Sequence, residues 1–99
     1  MSGNQTQIGD MKPEHPSVFI QDEMDARDWD RTALAFTIAG DPRLNMLALD
    51  FYFDVGPDEP DLRIGTMAGD IAKAFDVSEG MLLNLESAWL AAQTKGADL

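Results

Sequence analysis

Histidine occurs once in the chain, at His15, directly before Pro16. This pair is typical of a helix start, where the imidazole ring caps the helix or packs beside the proline. A metal site would need Glu14 and Asp10 as further ligands, but their spacing defines no metal site. No serine or cysteine nucleophile is signalled beside the histidine. We therefore expect a structural role for His15, no metal or other cofactor, and no enzyme activity.

Acidic residues dominate the charge: eighteen Asp and Glu against seven Lys and Arg give a net charge of −11. Proteins bind nucleic acids largely with Lys and Arg, so this charge argues against strong nucleic-acid binding by the isolated chain. It favours solubility and attraction to basic partners. The acids at Asp54, Asp58, Glu59 and Asp61 lack the pattern of a calcium-binding loop. We interpret them as a solvated loop.

Ninety-nine residues are enough for one small domain with one core. The absence of cysteine fits a reducing compartment, and the sequence shows neither a signal peptide nor an apolar run that could cross a bilayer. We therefore predict a cytoplasmic protein without a membrane segment.

The distribution of polar and apolar residues along the chain predicts its boundaries. They are a disordered tail over residues 1–14, a domain over 15–94 and a frayed end over 95–99.

Residues 41–55, DPRLNMLALDFYFDV, form the stretch around which the chain is organised. Asp41 can cap a helix, and Pro42 suits its first turn. Such a helix would be apolar on most faces, which indicates deep burial or a partner. From Leu49 to Val55, however, apolar residues alternate with Asp50, Tyr52 and Asp54. This alternation leaves a short β element near residues 49–64 as the alternative.

Four further helices are predicted around this stretch, which makes the domain all-α. The first runs from Pro16 to about Arg27, the second begins after Asp30, the fourth after Thr66 and the fifth after Ser78. Gly40 is expected to end the second helix. Apolar spacing assigns the following residues to the core: Phe19, Ile20, Met24, Leu34, Ala35, Ile38, Met67, Ile71, Phe75, Met81, Leu82, Leu85, Ala88, Trp89 and Ala92.

Three segments together resemble the HigA-type antitoxins of the Xre-like helix-turn-helix superfamily: His15-Pro16, Trp29-Asp30, and IAKAFDVSEGMLLNLESAW at residues 71–89. The family segment L-A-x-A-F/L-G-x-S-x-x-F-W-L-N-L-Q leads into the last helix. Glu86 stands at the position where this family segment commonly has glutamine. Ser17 stands at the position where the family usually has glycine after His-Pro. The resemblance covers about residues 15–92 and implies a five-helix domain like that of the lambda repressor. The residues in register are Ile71, Ala72, Ala74, Phe75, Ser78, Leu83, Asn84 and Leu85.

By this resemblance, residues 41–55 occupy the place of the helix that reads the major groove of DNA. The DNA-binding residues it implies are Arg31, Arg43 and Asn45; Arg43 could pair with guanine and Asn45 with adenine. Asp50 and Asp54 would face phosphates unfavourably. From residue 41 to residue 63 there are six acids and two bases. The resemblance therefore implies the fold better than it implies DNA binding.

Two functions are predicted. The first is a homodimeric HigA-like antitoxin, or a related small transcriptional regulator, which would neutralise a basic toxin such as a RelE-like ribonuclease and repress its own promoter. The alternative is an acidic protein-binding module without DNA binding, such as a phage or mobile-element inhibitor that imitates nucleic-acid charge. A small dimeric domain with a structural role is a third interpretation.

The partner-binding surface is predicted on and after the same stretch. Met46, Leu49 and Phe53 should be covered by the acidic loop, by a second subunit or by a partner. The acids that follow them would attract a basic partner. The full predicted set is Met46, Leu49, Asp50, Phe53, Asp54, Asp58, Glu59 and Asp61.

Overall fold

Five α-helices and one 3₁₀ turn make up the computed structural model, which describes residues 13–97. The chain is all-α, as predicted, and the alternative of a short β element near residues 49–64 does not form in this described part. None of these helices is long and apolar enough to cross a membrane. The helices are α1 (Pro16–Ala26), α2 (Arg31–Thr37), α3 (Pro42–Asp54), α4 (Met67–Phe75) and α5 (Glu79–Ala97), and the 3₁₀ turn is Gly56–Asp58.

Side-chain caps begin four of the five described helices. Asp30, Asp41 and Ser78 each accept a hydrogen bond from a backbone N–H in the following turn, at 2.8, 2.9 and 2.9 Å. These bonds satisfy donors that the helix leaves free at its start. His15 caps α1 with its ring. Thr66 makes no such bond, contrary to prediction, because its backbone is already helical (φ −68°, ψ −16°).

The turn between α2 and α3 sets the orientation of α3 relative to α2. Gly40 has φ 105°, a left-handed conformation that glycine adopts without the steric cost of a Cβ. Asp41 then caps α3, and Pro42 occupies its first turn. α3 continues to Asp54, so the predicted helix is confirmed and the strand alternative is wrong.

The core is built from the apolar faces of all five described helices. The predicted Ile20, Leu34, Ile71 and Leu82 are buried, as are Leu49 and Tyr52 of α3. Ala88, predicted to face the core, is exposed, because the last helix buries the side through Leu82 and Trp89 instead. The remaining predicted core residues are buried (Met24, Ala35, Ile38, Phe75, Trp89) or half-buried (Phe19, Met67, Met81, Leu85, Ala92).

The chain ends meet the predicted boundaries only in part. Most of the predicted tail, residues 1–12, lies outside the described residues, and Pro13 and Glu14 precede α1 as exposed coil. α5 continues through Ala97, three residues into the segment predicted to fray. Asp98 and Leu99 lie outside the described residues.

Candidate functional site

Asn45, a predicted DNA contact, is engaged inside the protein. Its side-chain Nδ2 donates to the carbonyl oxygens of Ala35 and Ala39 at 3.0 and 3.1 Å, with Ile38 O at 3.4 Å. These carbonyls lie at the end of α2, where the helix itself offers no donors. The amide therefore fastens α3 to the end of α2 and is not free to read a base.

Arg31, the second predicted DNA contact, is held by two acids of α3. Its guanidinium donates to Asp50 at 2.8 Å and to Asp54 at 2.9 and 3.1 Å. It also lies over the ring of Phe53, 4.8 Å from the centroid. The hydrogen bonds from Arg31 hold the pKa of Asp54 below its ordinary value. Arg31 is thus a link between α2 and α3, contrary to the expectation of a free basic contact.

Arg43 differs from the other two predicted DNA contacts because its side chain is almost fully exposed. It is 92% exposed at the start of α3, and its Nε lies 3.8 Å from the Asp41 carboxylate. An ion pair at that distance and exposure contributes little to stability. Arg43 is accordingly available to an external partner.

The apolar residues predicted to face a partner are covered by the chain's own core. Leu49 is fully buried, and Met46 and Phe53 are half-buried against the core cluster. Leu49 is therefore not a surface residue, which corrects its assignment to the partner-binding set. The core of the fold thus covers most of their area, whereas the prediction named the acidic loop, a second subunit or a partner as the cover.

A different face of α3 is exposed and apolar. Leu44, Leu47, Phe51 and Val55 are 64%, 57%, 58% and 41% exposed, and they follow one another at intervals of three and four residues. That spacing places them along one side of the helix and its C-terminal cap. We call these four residues the α3 stripe. Large apolar side chains clustered on a surface in this way mark an interaction site more often than isolated ones do.

The predicted acidic residues lie along and beyond one flank of the α3 stripe. Asp50 and Asp54 line a shallow groove together with Leu47, Phe51 and Val55 of the stripe. Asp58, Glu59 and Asp61 are exposed in the turn and loop that follow α3. Asp58, Glu59 and Asp61 therefore extend the acidic surface beyond α3. Their exposure agrees with the predicted solvated loop.

His15 is buried where α1, α3 and α5 meet. Its ring lies 4.5 Å from the Tyr52 ring and 4.7 Å, edge to face, from Trp89. Nδ1 accepts from the Ser17 backbone N–H at 3.2 Å and lies 2.8 Å from the Ser17 hydroxyl. This confirms the predicted capping and packing role. Nε2 is buried without a hydrogen-bond partner in the described part of the chain, and burial lowers the pKa of the ring.

Glu86 is a buried acid whose role the sequence did not reveal. It is 6% exposed, and its Oε2 accepts from the Tyr52 hydroxyl at 2.8 Å and from the Ile64 N–H at 2.7 Å. Burial, followed by the bond to Glu86, raises the pKa of Tyr52. A signal for this role existed, because Leu82, Glu86 and Trp89 share one helical face. Because both side chains are buried, we interpret the Tyr52–Glu86 pair as a structural link between α3 and α5.

No metal site accompanies these groups: residues 13–97 hold no cluster of three or more His, Asp or Glu suited to an ion. Asp10, considered as a ligand with His15, lies outside the described residues. The chain matches no protein-family model, no curated protein and no solved structure. The resemblance to HigA-type antitoxins therefore remains a prediction from the sequence.

Proposed function

We propose that this protein binds another protein through the α3 stripe and does not read DNA with that helix. The observation that carries the proposal is the contrast between two sets of residues. Two of the three predicted base or phosphate contacts, Arg31 and Asn45, have internal partners. Four large apolar side chains occupy the exposed side instead. Base edges and phosphates require hydrogen-bond donors and positive charge, which these side chains cannot supply.

The partner's chemistry follows from what surrounds the stripe. Asp50, Asp54 and Asp58 lie along or just beyond it, and the whole chain carries a net charge of −11. A partner with an apolar centre and a basic rim would match both features, and opposite charges would accelerate its association. A basic toxin and a basic nucleic-acid-binding protein both meet this description.

The sequence resemblance suggests what kind of regulator this is. In a helix-turn-helix domain of Xre type, α2 and α3 would be the helix pair and α3 the reading helix. Under our proposal the same helix has become a protein-docking element. A phage or mobile-element inhibitor that imitates nucleic-acid charge is the form of this function that best accommodates the acids.

A HigA-like antitoxin that also represses its own promoter is the second candidate, and the exposure of Arg43 favours it. This side chain lies near the start of α3, where recognition helices contact bases, and it is free to donate to guanine. A gel shift with the gene's own upstream DNA, at low salt and with the bound partner present, tests this candidate. A shift that Arg43→Gln abolishes would support it.

The docking proposal is tested with one variant inside the stripe and a matched one outside it. Leu47→Asp places a charge in the stripe, whereas Leu83→Asp changes a 40% exposed leucine on α5. Wild-type protein is used to capture partners from the source cell, and affinity is then measured with each partner purified. We expect a basic partner whose affinity falls at least about tenfold with Leu47→Asp, since central interface residues contribute most of the energy. Leu83→Asp should bind like the wild type.

Equal binding by Leu47→Asp and the wild type would contradict the proposal, as would an acidic partner. Circular dichroism of both variants is the control for folding. Because Leu47 and Leu83 are both on the surface, neither substitution opens a cavity in the core.

A further inference from the structure

The α3 stripe has an internal symmetry that its proposed partner-binding role does not require. Leu47 and Phe51 lie two residues to either side of Leu49, and Leu44 and Val55 lie five and six residues away from it. When a helix packs against an antiparallel copy of itself, residues at equal distances from the centre face each other. Leu47 would then meet Phe51 of the second copy, and Leu44 would meet its Val55.

The charges beside the stripe have the same symmetry. Arg43 and Asp54 are eleven residues apart, which is close to three helical turns, so they lie on the same side of α3 at opposite ends. In an antiparallel pair this flank faces itself. Arg43 of each copy would therefore approach Asp54 of the other, at both ends of the contact. Arg43 is 92% exposed in its side chain and Asp54 61%. Arg31 already binds both Asp50 and Asp54, but one cation leaves this pair of acids with one negative charge in excess, which Arg43 of the second copy can approach.

We propose that a second copy of this chain covers the α3 stripe when no other partner is bound, with the two α3 helices antiparallel. The inference rests on the proposed function, because it concerns the same surface: self-association and partner binding would exclude each other. The contact is isologous, each copy using the same patch. Its core of four apolar residues per copy is small for a stable interface, so the dimer is weak and depends on concentration.

Salt should affect the two complexes in opposite directions. Two chains of charge −11 repel each other, and salt screens that repulsion. Salt also weakens the two Arg43–Asp54 pairs, but exposed ion pairs contribute little, so the dimer becomes stronger as salt rises. Binding of a basic partner becomes weaker under the same change. Sedimentation velocity of the wild type at about 0.05 M and about 0.5 M NaCl should show a larger dimer fraction at the higher salt.

Cysteine cross-linking tests the antiparallel register, since the chain has no cysteine of its own. In Arg43→Cys/Asp54→Cys, the two positions are roughly 16 Å apart within one helix, too far for an internal disulfide. In the antiparallel dimer they face each other, so a mild oxidant should give a covalent dimer on a non-reducing gel. Arg43→Cys alone and Asp54→Cys alone should stay monomeric, because like positions would lie at least about 14 Å apart along the axis.

Two further variants complete the test. Adding Leu47→Asp to the double cysteine variant should prevent the cross-link, and Asn84→Cys, on the exposed face of α5, reports random collisions. Cross-linking of either single variant to the same extent as the double variant would overturn the register. A wild type that is monomeric at about 0.5 mM in high salt would overturn the dimer itself. Neither result affects the Leu47→Asp test with a purified partner, so the two proposals fail separately.

Discussion

The Tyr52 hydroxyl of α3 donates a 2.8 Å hydrogen bond to the Glu86 carboxylate of α5. The same carboxylate oxygen accepts a 2.7 Å bond from the backbone N–H of Ile64, just before α4. One buried acid thus joins three parts of the chain. It holds α3 in place from the inner side, while the α3 stripe faces outward.

Removing the Glu86 carboxylate should reveal how much this junction contributes. Glu86→Ala leaves the Tyr52 hydroxyl and the Ile64 N–H buried without an acceptor, and each such group costs about 1–3 kcal/mol. Glu86→Gln keeps a carbonyl oxygen that can accept both bonds. We expect urea unfolding to show a loss of about 3 kcal/mol for alanine and about 1 kcal/mol for glutamine. Equal losses would mean that the charge, and not the acceptor, is what the site needs.

Acid should destabilise the fold through His15. Burial lowers the pKa of its ring, and the nearby Glu86 opposes this only in part. The unfolded chain, with an ordinary pKa of 6.5, therefore binds a proton more readily than the folded one. The contribution of His15 to the free energy of unfolding should be constant above that pH and fall as the pH drops from 6.5 to the folded-state pKa.

The comparison for this prediction is His15→Asn. Asparagine can still cap α1 with its side-chain oxygen but does not titrate. Its unfolding free energy should be lower than that of the wild type at neutral pH and should change less between pH 6.5 and the folded-state pKa. Because the chain has one histidine, an NMR titration of its ring protons gives the pKa directly. A pKa above 6.5 would contradict the structure.

Gly56 is buried at the start of the 3₁₀ turn, and it should be intolerant of a side chain. A Cβ there would come within 3.0 Å of His15 Nε2 and 3.1 Å of Cε1. The ring cannot move away easily, since it packs against Tyr52 and Trp89 and caps α1. Gly56→Ala should therefore destabilise the fold by about 1–3 kcal/mol in urea unfolding.

Gly80 provides the matched control for this substitution. It lies in the first turn of α5, and a Cβ there meets nothing closer than the Ser78 hydroxyl at 3.9 Å. Gly80→Ala should raise stability by up to about 1 kcal/mol, as alanine does in a helix. If both variants were stabilised, the contact between Gly56 and His15 would not be the constraint we describe.

Local sequence signals predicted most of the fold because they act within a few residues. The caps at Asp30, Asp41 and Ser78 need only a backbone N–H in the next turn. The core positions of α1, α2 and α4 follow from a single apolar stripe in each helix. Thr66 shows the limit of such local signals. Whether its side chain can cap the helix depends on its backbone angles, which the residue type does not determine.

The site was harder to predict because α3 is apolar on most faces. Its sequence indicated burial or a partner, but it did not show which face turns inward. Tyr52 and Leu49 face the core, and this leaves Leu44, Leu47 and Phe51 outside instead of Met46 and Phe53. The pairing of Arg31 with Asp50 and Asp54 depends on contacts across about twenty residues. Only the packing of α2 against α3 brings those charges together.

Arg31 and Arg43 should respond differently to the same substitution. Arg31→Gln removes the ion pairs with Asp50 and Asp54 and the contact with the Phe53 ring. The cation–π contact alone is worth about 0.5–1 kcal/mol at a partly exposed site. We expect urea unfolding at neutral pH to show lower stability for Arg31→Gln. The pKa of Asp54, measured by carbon NMR of its carboxyl group, should rise towards its ordinary value.

Arg43→Gln is the control, because this side chain is 92% exposed and its ion pair with Asp41 is long, at 3.8 Å. The substitution should leave both the stability and the pKa of Asp54 unchanged. The Arg31 effect should also depend on pH. Arg31 lowers the pKa of Asp54, so the stability from this pair is present above the ordinary carboxyl pKa of 3.8 and is lost as Asp54 takes up a proton below it. The difference between Arg31→Gln and the wild type should therefore narrow in acid. A difference that persists unchanged there would assign the loss to the Phe53 contact instead of the ion pairs.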